Sequence, residues 1–363
     1  MNRFDVTVFG AGISGTAISN SLSQRGLSVL LVDPYTSEDA PGPPAALVNP
    51  ATGRQATMSW EAEACLQSLR SFLNTLKDFA PDATLISESG VIRPAISPAL
   101  VEGFKDSLHK YDWPTGWIRW MGKDEVEYLN PFMAPNEGAL FLDVGFTVFV
   151  DEYLNTTRRY LRSKGVRCEY RNAVYRSKNG NYGFDIEFEN GEILHSDRVI
   201  VAAGHQSPFF NDWEYLQLHR VKGQIGLFQA EHDLNWEYGT SAMGYCLRLG
   251  PRGLVIGSTY EHHFEDLGTT EFALKQIRNK LKKIFPSLSD TVTLVQQMAG
   301  VRVTSPNKLP VIGHHPQNKQ LYIYSALGSK GFLFSHYVAD ILADNIVHEV
   351  AIPDELCTTR FMQ

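Results

Sequence analysis

A glycine-rich turn close to the start of the chain constrains the fold more than any other feature. Residues 5–9 form a short apolar segment typical of a β-strand, and the sequence G-A-G-I-S-G of residues 10–15 follows it directly. A second apolar segment, residues 27–32, comes next and ends at Asp33. A strand, a glycine-rich turn, a helix and a second strand in this order predict a βαβ unit that binds a dinucleotide.

Each glycine of this motif has its own part in the predicted unit. Gly10 makes the tight turn, Gly12 lets the backbone approach a pyrophosphate, and Gly15 lets the helix pack closely on the strand. Asp33 stands eighteen residues after Gly15, where its carboxylate can bind ribose hydroxyls. Because its charge disfavours a 2′-phosphate, the motif predicts NAD or FAD rather than NADP.

Length and charge limit the classes of protein to which the chain can belong. Its 363 residues exceed a single typical core, so we expect two lobes. With a net charge of −7, the chain has no overall basic field to attract nucleic acid. No segment approaches the ~18 consecutive apolar residues that a membrane span requires, so no membrane association is expected.

The cysteines and histidines give no sign of a disulfide or a metal site. The four cysteines are widely separated and form no C-x-x-C motif, which is typical of reduced thiols and predicts a cytoplasmic protein. His314 and His315 are adjacent and lack an accompanying carboxylate motif, so we expect them to be loop residues and expect no metal.

The rest of the chain contains segments of three kinds. Residues 198–204 are typical of a strand in a parallel sheet and end in small residues that can lie against a cofactor. Segments typical of an antiparallel sheet are residues 138–150, expected to form a strand pair, and residues 221–229, 244–249 and 253–260, while residues 292–303 are typical of a further strand. Apolar residues at helical spacing predict helices at residues 57–80, 150–164 and 270–285.

The helix predicted at residues 150–164 carries four basic side chains, Arg158, Arg159, Arg162 and Lys164. They could form a patch that binds an anion. A solvated helix face is the commoner arrangement, and we expect it for all four.

Two other segments could contact a cofactor. Residues 35–53 form a loop rich in proline, alanine and glycine. It is either a linker or, because it follows the second strand of the dinucleotide unit, a lining of the cofactor site. Residues 326–332 stand between a strand and a long C-terminal helix, whose first N–H groups would face an anion or an electron-rich ring.

Taken together, these motifs resemble those of the D-amino-acid oxidase family of FAD enzymes, which includes glycine oxidase and sarcosine oxidase. The resemblance covers essentially the whole chain. It rests on residues 10–15 with Asp33, and on residues 44–52, 199–204, 299–302, 309–313 and 328–331. Less specific motifs are most similar to the flavin domain of the bifunctional tRNA 5-methylaminomethyl-2-thiouridine biosynthesis enzyme, and they are residues 221–224, 244–247 and 256–260.

The resemblance implies a fold that combines α/β and α+β parts. One lobe would be a Rossmann-like FAD-binding domain, and the other would bind substrate on a large, mostly antiparallel sheet. The FAD-binding domain would be discontinuous and contain residues 1–80, 150–215 and 296–363. The substrate-binding domain would contain residues 81–149 and 216–295.

The resemblance also implies which residues hold FAD. In chain order they are Gly10, Gly12, Ile13, Ser14, Gly15, Asp33, Ala45, Ala46, Leu47, Asn49, Val174, Ala203, Gly204, Gly328, Ser329, Lys330, Gly331 and Phe332. The glycine-rich turn would meet the pyrophosphate, Asp33 the adenosine ribose, and residues 45–49 the flavin. The backbone of Val174 would meet adenine near residues 203–204, and residues 328–331 would face the pyrimidine edge of the flavin.

The bond between protein and FAD is expected to be non-covalent. The resemblance places a flavin-tethering cysteine of some relatives near residues 305–308, and this chain has none there.

Four residues are candidates for the catalytic site. Arg302 matches the family's carboxylate-binding arginine, whose planar guanidinium can pair with a carboxylate through two parallel hydrogen bonds. An ion pair with an internal acidic residue is the alternative for Arg302. Tyr245 and Tyr260 are candidates for the substrate pocket, although most of the fifteen tyrosines must serve packing. Lys330 could stabilise negative charge on the reduced flavin or could be a solvated lysine.

The resemblance implies oxidation of the C–N bond of a small amino acid or N-substituted glycine. A hydride would pass to flavin N5, water would hydrolyse the resulting imine, and O2 is the expected electron acceptor. One alternative is a stand-alone flavin enzyme that removes a carboxymethyl group from a modified tRNA wobble uridine. The acidic chain disfavours tRNA without excluding it. An alternative of another class is a non-catalytic, regulatory flavin-binding protein.

Overall fold

A computed structural model describes residues 2–35, 42–178, 182–206 and 211–362. The strands of its first half are β1 Arg3–Phe9, β2 Val29–Val32, β3 Ala45–Val48, β4 Ala51–Thr52, β5 Thr57–Met58, β6 Ile86–Ser87, β7 Val91–Pro94, β8 Ile118–Met121, β9 Ala139–Leu142, β10 Phe146–Phe149, β11 Arg167–Glu169 and β12 Ala173–Ser177. The later strands are β13 Phe184–Phe188, β14 Ile193–Val201, β15 His219–Ala230, β16 Gly239–Thr240, β17 Tyr245–Leu249, β18 Gly253–Gly257, β19 Val292–Thr304, β20 Val311–His315 and β21 Asn318–Ser325. The helices are α1 Ile13–Gln24, α2 Ala62–Phe79, α3 Pro98–Lys110, α4 Lys123–Leu129, α5 Val150–Ser163, α6 Glu271–Ile284 and α7 Gly331–His348, and short 3-10 turns lie at Asn211–Leu216 and Thr358–Phe361.

The first large sheet contains the predicted βαβ unit. Its strands run in the order β11-β2-β1-β14-β13-β12, with β21 beside β14 and β20 beside β21. The strands β11, β2, β1, β14 and β21 are parallel to their neighbours in this set. All four residues of β2 are buried, as expected for a strand covered on both faces.

Strand β14 joins two parts of this sheet. Its first half pairs with β13 in the antiparallel sense, through Ile193–Ser196. Its second half, Val199–Val201, pairs with β21 in the parallel sense. The carboxyl ends of β1, β14 and β21 therefore lie side by side, and the segments that follow these strands meet at one edge of the sheet.

Four helices cover one face of the first sheet. Helices α1, α2, α5 and α7 pack against one another, with Ile18 of α1, Leu69 of α2, Leu161 of α5 and Val338 of α7 completely buried in one core. This packing supplies most of the apolar burial on that face and fixes the first turns of α1 and α7 relative to the sheet.

The second large sheet is antiparallel except for one pair. Its strand order is β19-β15-β18-β17-β16-β7-β9-β8, and only β16 and β7 run parallel. Helix α6 covers one face, where Ile277 and Leu281 pack in a core with Phe228. On the opposite face, Ile225 and Leu247 pack against Ala45 of β3. The second sheet therefore turns one face towards β3, and the predicted fold class, with one Rossmann-like sheet and one large, mostly antiparallel sheet, is confirmed.

The prediction of a strand pair at residues 138–150 was wrong in one respect. Both strands exist, as β9 and β10, but they lie in different sheets. Strand β9 is hydrogen-bonded to β7 on one side and β8 on the other, so neither of its edges is open to β10. Strand β10 instead pairs with β3 and β6 in a separate three-stranded sheet.

The prediction that His314 and His315 are loop residues was also wrong. Both lie at the end of β20, which pairs with β21, and the Nε2 atom of His315 lies 3.0 Å from the carbonyl oxygen of Asp212. Within the part of the chain that the structure describes, no group of His, Cys, Asp and Glu side chains is arranged to hold a metal ion.

Several other expectations can be compared with the structure. The predicted helices correspond to α2, α5 and α6. All four cysteines are free thiols. No helix among the described residues is long and apolar enough to cross a membrane. Strand β19 runs from Val292 to Thr304, across the expected domain boundary at residue 296, and the division into two lobes stays a prediction. Residues 36–41 of the proline-rich loop lie outside the described residues.

Candidate cofactor and substrate site

The glycine-rich turn has the backbone that its sequence predicts. Gly10 has φ +105°, and a Cβ atom there would lie 2.5 Å from the carbonyl oxygen of Ala202. A Cβ atom on Gly15 would overlap the carbonyl oxygen of Gly10. A Cβ atom on Gly12 would meet no protein atom within 4 Å. Gly10 and Gly15 are therefore required by packing, whereas the space beside Gly12 is left for a ligand.

The first turn of α1 opens towards this space. The helix begins at Ile13, directly after Gly12, and no side chain caps its N-terminus. The first N–H groups of a helix have no intrahelical partners and carry the positive end of the helix dipole. The open space beside Gly12 and the uncapped first turn, which includes Ser14, fit a pyrophosphate.

Asp33 holds the turn from one side. Its Oδ2 atom accepts a hydrogen bond from the Ala11 N–H group at 2.5 Å, and its Oδ1 atom accepts one from the Tyr35 N–H group at 2.9 Å. Each carboxylate oxygen has a second lone pair, which is available to a ribose hydroxyl. Asp33 therefore shapes the glycine-rich turn itself, and its predicted contact with ribose fits this geometry.

Arg158 holds the same turn from the other side, and the prediction that it is solvated was wrong. Its side chain is only 4% exposed, and its Nε and Nη2 atoms donate hydrogen bonds to the Ala11 carbonyl oxygen at 3.3 and 2.9 Å. The reason is its place on α5, because residues 154, 158 and 161 share the inner face of the helix. Arg159 and Arg162 are exposed, as expected. The spacing from Leu154 was the signal in the sequence.

The end of β14 completes this side of the site. The Ala202 N–H group donates to the Phe9 carbonyl oxygen at 2.8 Å, so Ala203 and Gly204 leave the sheet beside Gly10. Val174 lies in β12 and is 45% exposed, next to Tyr175, whose ring centroid is 5.5 Å from that of Phe9. These positions are compatible with the predicted adenine region, and contact between Val174 and adenine stays a prediction.

The segment expected to lie along the flavin is between the two large sheets. Strand β3 contains Ala45, Ala46 and Leu47, and Ala45 is completely buried against the second sheet. The side chain of Asn49 accepts a hydrogen bond from the Ala51 N–H group at 2.9 Å and so shapes the turn after β3. Contact of these residues with flavin stays a prediction.

The start of α7 lies next to the start of α1. A Cβ atom on Gly331 would lie 3.6 Å from the Cδ1 atom of Ile13. Gly328, which has φ +58°, donates its N–H group to the Val303 carbonyl oxygen at 2.9 Å. Ser329, the next residue, is exposed. Two helix N-termini thus approach the same region, and the Gly328 turn is joined to the strand that carries Arg302.

Two residues that are predicted to contact FAD at the start of α7 have side chains that pack against aromatic rings. Phe332 is 4% exposed and packs edge-on against Tyr153, with ring centroids 5.1 Å apart, so only its backbone could serve a cofactor. The Nζ atom of Lys330 lies 4.7 Å from the ring centroid of Phe334. Burial lowers the pKa of Lys330, and the nearby charge of Lys308 lowers it further.

Arg302 lies on β19 with its guanidinium above Gly223. Its Nη2 atom donates to the Ser258 Oγ atom at 3.1 Å and to the Thr259 carbonyl oxygen at 3.0 Å. It forms no salt bridge with any residue that the structure describes, so the alternative of an internal ion pair finds no partner there. A Cβ atom on Gly223 would overlap Arg302 Nη2, so the guanidinium can occupy this place only while residue 223 has no side chain.

Two tyrosines are close to this arginine. The Cζ atom of Arg302 lies 4.7 Å from the ring centroid of Tyr260, which is 57% exposed. Burial raises the pKa of Tyr245 to about 12, an effect that the Arg302 charge opposes and the Tyr260 hydroxyl adds to. The structure therefore brings together three of the four predicted catalytic residues, while Lys330 stands on a separate element at the start of α7.

Lys280 is a neighbour of this group that no sequence motif identifies. It lies on α6, its Nζ atom donates to the Ser258 carbonyl oxygen at 2.5 Å, and it stands 5.6 Å from the Tyr260 ring centroid. Burial lowers the pKa of Lys280, and the charge of Arg302 lowers it further. Its position depends on how α6 packs behind the second sheet, and no local motif marks it.

Fold and site together define a class of protein, a dinucleotide-binding fold whose second sheet carries an arginine bonded only to neutral acceptors among the described residues. The model of the DAO family, described as FAD dependent oxidoreductase, matches residues 5–345. The chain belongs to this family and is an FAD-dependent oxidoreductase, which confirms the expected cofactor and enzyme class.

Known proteins similar to this chain include a longer one. The tRNA 5-methylaminomethyl-2-thiouridine biosynthesis bifunctional protein of Thiobacillus denitrificans is 25% identical over 354 residues, which cover 94% of this chain and 56% of that protein. The chain therefore spans little more than half the length of this curated relative.

Two solved structures have a similar fold. The structure of glycine oxidase from Geobacillus kaustophilus has a TM-score of 0.80 at 19% identity, covering 97% of this chain and 96% of that chain. The structure of L-proline dehydrogenase from P. horikoshii has a TM-score of 0.80 at 16% identity, covering 99% and 98%. At these identities the likeness concerns the fold alone.

Proposed function

We propose that this enzyme oxidises the C–N bond of a small amino acid or an N-substituted glycine. The observation that carries the proposal is the environment of Arg302. Its guanidinium lies next to two tyrosines, is bonded only to neutral acceptors among the described residues, and stands on a strand joined to the Gly328 turn. A cation placed in this way attracts a carboxylate.

The residues of the chain would bind and orient the substrate. Arg302 would pair with the carboxylate through its remaining N–H groups, and Gly223 leaves the space that this guanidinium needs. The raised pKa of Tyr245 keeps its hydroxyl neutral, so it can donate a hydrogen bond to the same anion. Fixing the carboxylate fixes the direction of the neighbouring C–H bond, which is the positional part of catalysis.

The chemistry itself needs little from the side chains. FAD, when bound, accepts the hydride from the carbon next to a neutral amine. The nitrogen lone pair forms the C=N bond, the amine proton is released to solvent, and water adds to the imine to give a carbonyl compound and a free amine. The N–H groups at the starts of α1 and α7 would favour negative charge at this end of the fold. We propose the same electrostatic role for Lys330, and O2 as electron acceptor.

Purification followed by a substrate screen tests the proposal. We expect a yellow protein whose FAD is released by acid precipitation. Glycine, N-methylglycine, proline and D-amino acids should be screened for anaerobic bleaching of the flavin and, in air, for peroxide. A preparation that is colourless and cannot bind added FAD would overturn the proposal. So would a flavin that no amine bleaches.

A second candidate function is removal of a carboxymethyl group from a modified tRNA wobble uridine, which breaks the same kind of C–N bond. The specific observation in its favour is helix α6. Although the chain has a net charge of −7, this helix exposes four basic side chains close to Lys280 and the Arg302 site, and they are Lys275, Arg278, Lys282 and Lys283. Such a row can contact a phosphate backbone. The bifunctional relative named above bears a tRNA biosynthesis name.

The two candidates differ in what α6 contributes. If the substrate is tRNA that bears the carboxymethylaminomethyl group, single turnover should release glyoxylate from the tRNA. The activity of wild type on tRNA should then fall steeply as salt rises, whereas the double variant Lys275→Glu, Lys282→Glu should have lost most of this activity already at low salt and should depend less steeply on salt. Oxidation of free N-methylglycine by the same variant should be unchanged. Release of glyoxylate at equal rates by variant and wild type would exclude a role of α6 in binding tRNA.

A further inference from the structure

Two cationic side chains, Arg302 and Lys280, converge on one short segment, residues 258–260. Arg302 donates to the Ser258 hydroxyl and the Thr259 carbonyl oxygen, while Lys280 donates to the Ser258 carbonyl oxygen. The two cations lie 4.7 and 5.6 Å from the centroid of the same Tyr260 ring. They come from different elements, β19 and α6, so the tertiary fold brings them together.

Two acidic residues close by in the sequence, Glu261 and Asp266, are bound to other groups. The Oε1 atom of Glu261 accepts hydrogen bonds from Gln224 at 2.9 Å and from Thr259 at 2.7 Å. Its Oε2 atom lies 4.0 Å from Nζ of Lys222, a lysine that is 2% exposed. Asp266 is also 3.6 Å from Lys222. Both carboxylates therefore lie within salt-bridge distance of Lys222, and neither forms a salt bridge with Arg302 or Lys280.

Two like charges close together raise the free energy of the site unless an anion lies between or beside them. A substrate with one carboxylate compensates Arg302 and leaves the charge of Lys280 without an acidic partner in the described part of the chain. Lys280 uses one of its three N–H donors on Ser258, so two remain for a ligand. Lys280 is partly exposed and Tyr260 is 57% exposed, so a ligand can reach this second position from solvent.

We propose that Lys280 and Arg302 form a two-point anion site, in which Arg302 holds the carboxylate next to the reacting carbon and Lys280 holds a second, distal carboxylate. The preferred substrates are then N-substituted glycines that carry two carboxylates. This inference rests on the proposed amine oxidation, which supplies the role of Arg302. It adds Lys280 as the residue that selects dianions over monoanions.

Binding of ligands that cannot be oxidised as amines tests the site separately from the reaction. Diglycolate and methoxyacetate share one ether-linked acetate group and differ in whether a second carboxylate is present. Their dissociation constants can be measured from the change in flavin absorbance of the FAD-loaded protein. We expect wild type to bind diglycolate at least about tenfold more tightly than methoxyacetate, as expected for a hydrogen bond between charged groups.

Two variants assign this preference to Lys280. Lys280→Gln keeps a donor for the Ser258 carbonyl oxygen and removes the charge, so it should abolish the preference by weakening diglycolate at least about tenfold while weakening methoxyacetate much less. Lys280→Arg should retain the preference. The matched control is Lys77→Gln, an exposed lysine on α2, which should behave as wild type. Equal binding of both ligands by wild type, or equal weakening of both by Lys280→Gln, would overturn the proposal.

The reaction gives an independent outcome. Anaerobic bleaching by N-methylglycine and by iminodiacetate should show the same preference for the dianion and the same loss in Lys280→Gln. If N-methylglycine bleaches the flavin and no preference exists, the two-point site fails and the amine oxidation stands. If diglycolate is preferred and no amine bleaches the flavin, the anion site stands and the proposed reaction fails.

Discussion

The guanidinium of Arg158 donates two hydrogen bonds to the carbonyl oxygen of Ala11, at 3.3 and 2.9 Å. On the other side of the same residue, Asp33 accepts a hydrogen bond from the Ala11 N–H group at 2.5 Å. Ala11 is the middle residue of the first Gly-x-Gly, so an arginine on α5 and an aspartate after β2 fix the backbone between Gly10 and Gly12. Arg158 also adds a buried positive charge beneath the expected pyrophosphate position.

Replacing Arg158 should therefore loosen FAD. Arg158→Met leaves the Ala11 carbonyl without its donor, at a cost of about 1–3 kcal/mol, and removes the buried charge. We expect the FAD dissociation constant, measured by recovery of flavin fluorescence on dilution, to rise about tenfold or more. The exposed Arg159→Met is the matched control, and Arg158→Lys should recover part of the affinity. Unchanged FAD affinity in a folded Arg158→Met protein would show that the hydrogen bonds from Arg158 to Ala11 have no part in cofactor binding.

The contrast between Arg302 and Arg158 shows what the sequence could predict. Arg302 belongs to a motif that resembles one of a known family, and the βαβ unit is predicted by a continuous stretch of the sequence. For Arg158, the charge of the side chain predicts a solvated position, whereas its spacing from Leu154 predicts the inner face of α5. Its hydrogen-bond partner, Ala11, is 147 residues away in the chain. Lys280 lies near Ser258 and Tyr260, and Gly223 lies beneath the Arg302 guanidinium, because separate elements pack together. No local sequence pattern encodes that packing. The same limit explains why β9 and β10 were predicted as a pair.

Substitutions of two glycines in the turn should have different effects, one on the stability of the fold and the other on FAD affinity. A Cβ atom on Gly15 overlaps the Gly10 carbonyl oxygen, so Gly15→Ala should destabilise the protein with or without FAD. A Cβ atom on Gly12 meets no protein atom within 4 Å, so Gly12→Ala should leave the apoprotein as stable as wild type. Its FAD dissociation constant should still rise. Thermal unfolding with and without FAD measures both effects, and a Gly12→Ala protein that binds FAD normally would exclude a pyrophosphate beside Gly12.

Gly223 offers a test of Arg302 that leaves the arginine in place. An added methyl group overlaps Nη2, so Gly223→Ala should displace the guanidinium from Ser258 and Thr259. For a carboxylate substrate, we expect Arg302→Met to lower kcat/KM by a factor that corresponds to about 2–5 kcal/mol of transition-state stabilisation, as for loss of one partner of a buried charged pair. Gly223→Ala should lower kcat/KM by a smaller factor.

The double variant of Gly223 and Arg302 distinguishes a local effect from a general one. If the added methyl group acts only by moving the guanidinium, Gly223→Ala should have no further effect on kcat/KM once Arg302 is methionine. FAD affinity should be the same in all four proteins. Additive losses in the double variant would mean that Gly223 affects the site by another route.

His336 should make the stability of the protein depend on pH in the acidic range. The histidine is 3% exposed, stacks on Phe72 with ring centroids 4.2 Å apart, and lies 2.7 Å from the hydroxyl of Tyr153. Burial lowers the pKa of His336 from 6.5 to about 3. Between these pH values His336 binds a proton in the unfolded chain and stays neutral in the folded protein. The free energy of unfolding therefore rises with pH. The contribution of His336 is fully present above pH 6.5 and is lost as the pH falls towards 3, at up to ~1.4 kcal/mol per pH unit.

Denaturant unfolding of the FAD-loaded protein at several pH values between 7 and about 4.5 measures this slope. His336→Gln has no proton to take up at this position, so its slope should be smaller than that of wild type by as much as one proton, even though its stability at pH 7 is lower. Other titrating groups contribute to both proteins and cancel in the difference. His109→Gln, a change at an exposed position on α3, should keep the wild-type slope. Equal slopes for wild type and His336→Gln would mean that the buried histidine accepts its proton in the folded state, through an opening of the contact between α2, α5 and α7.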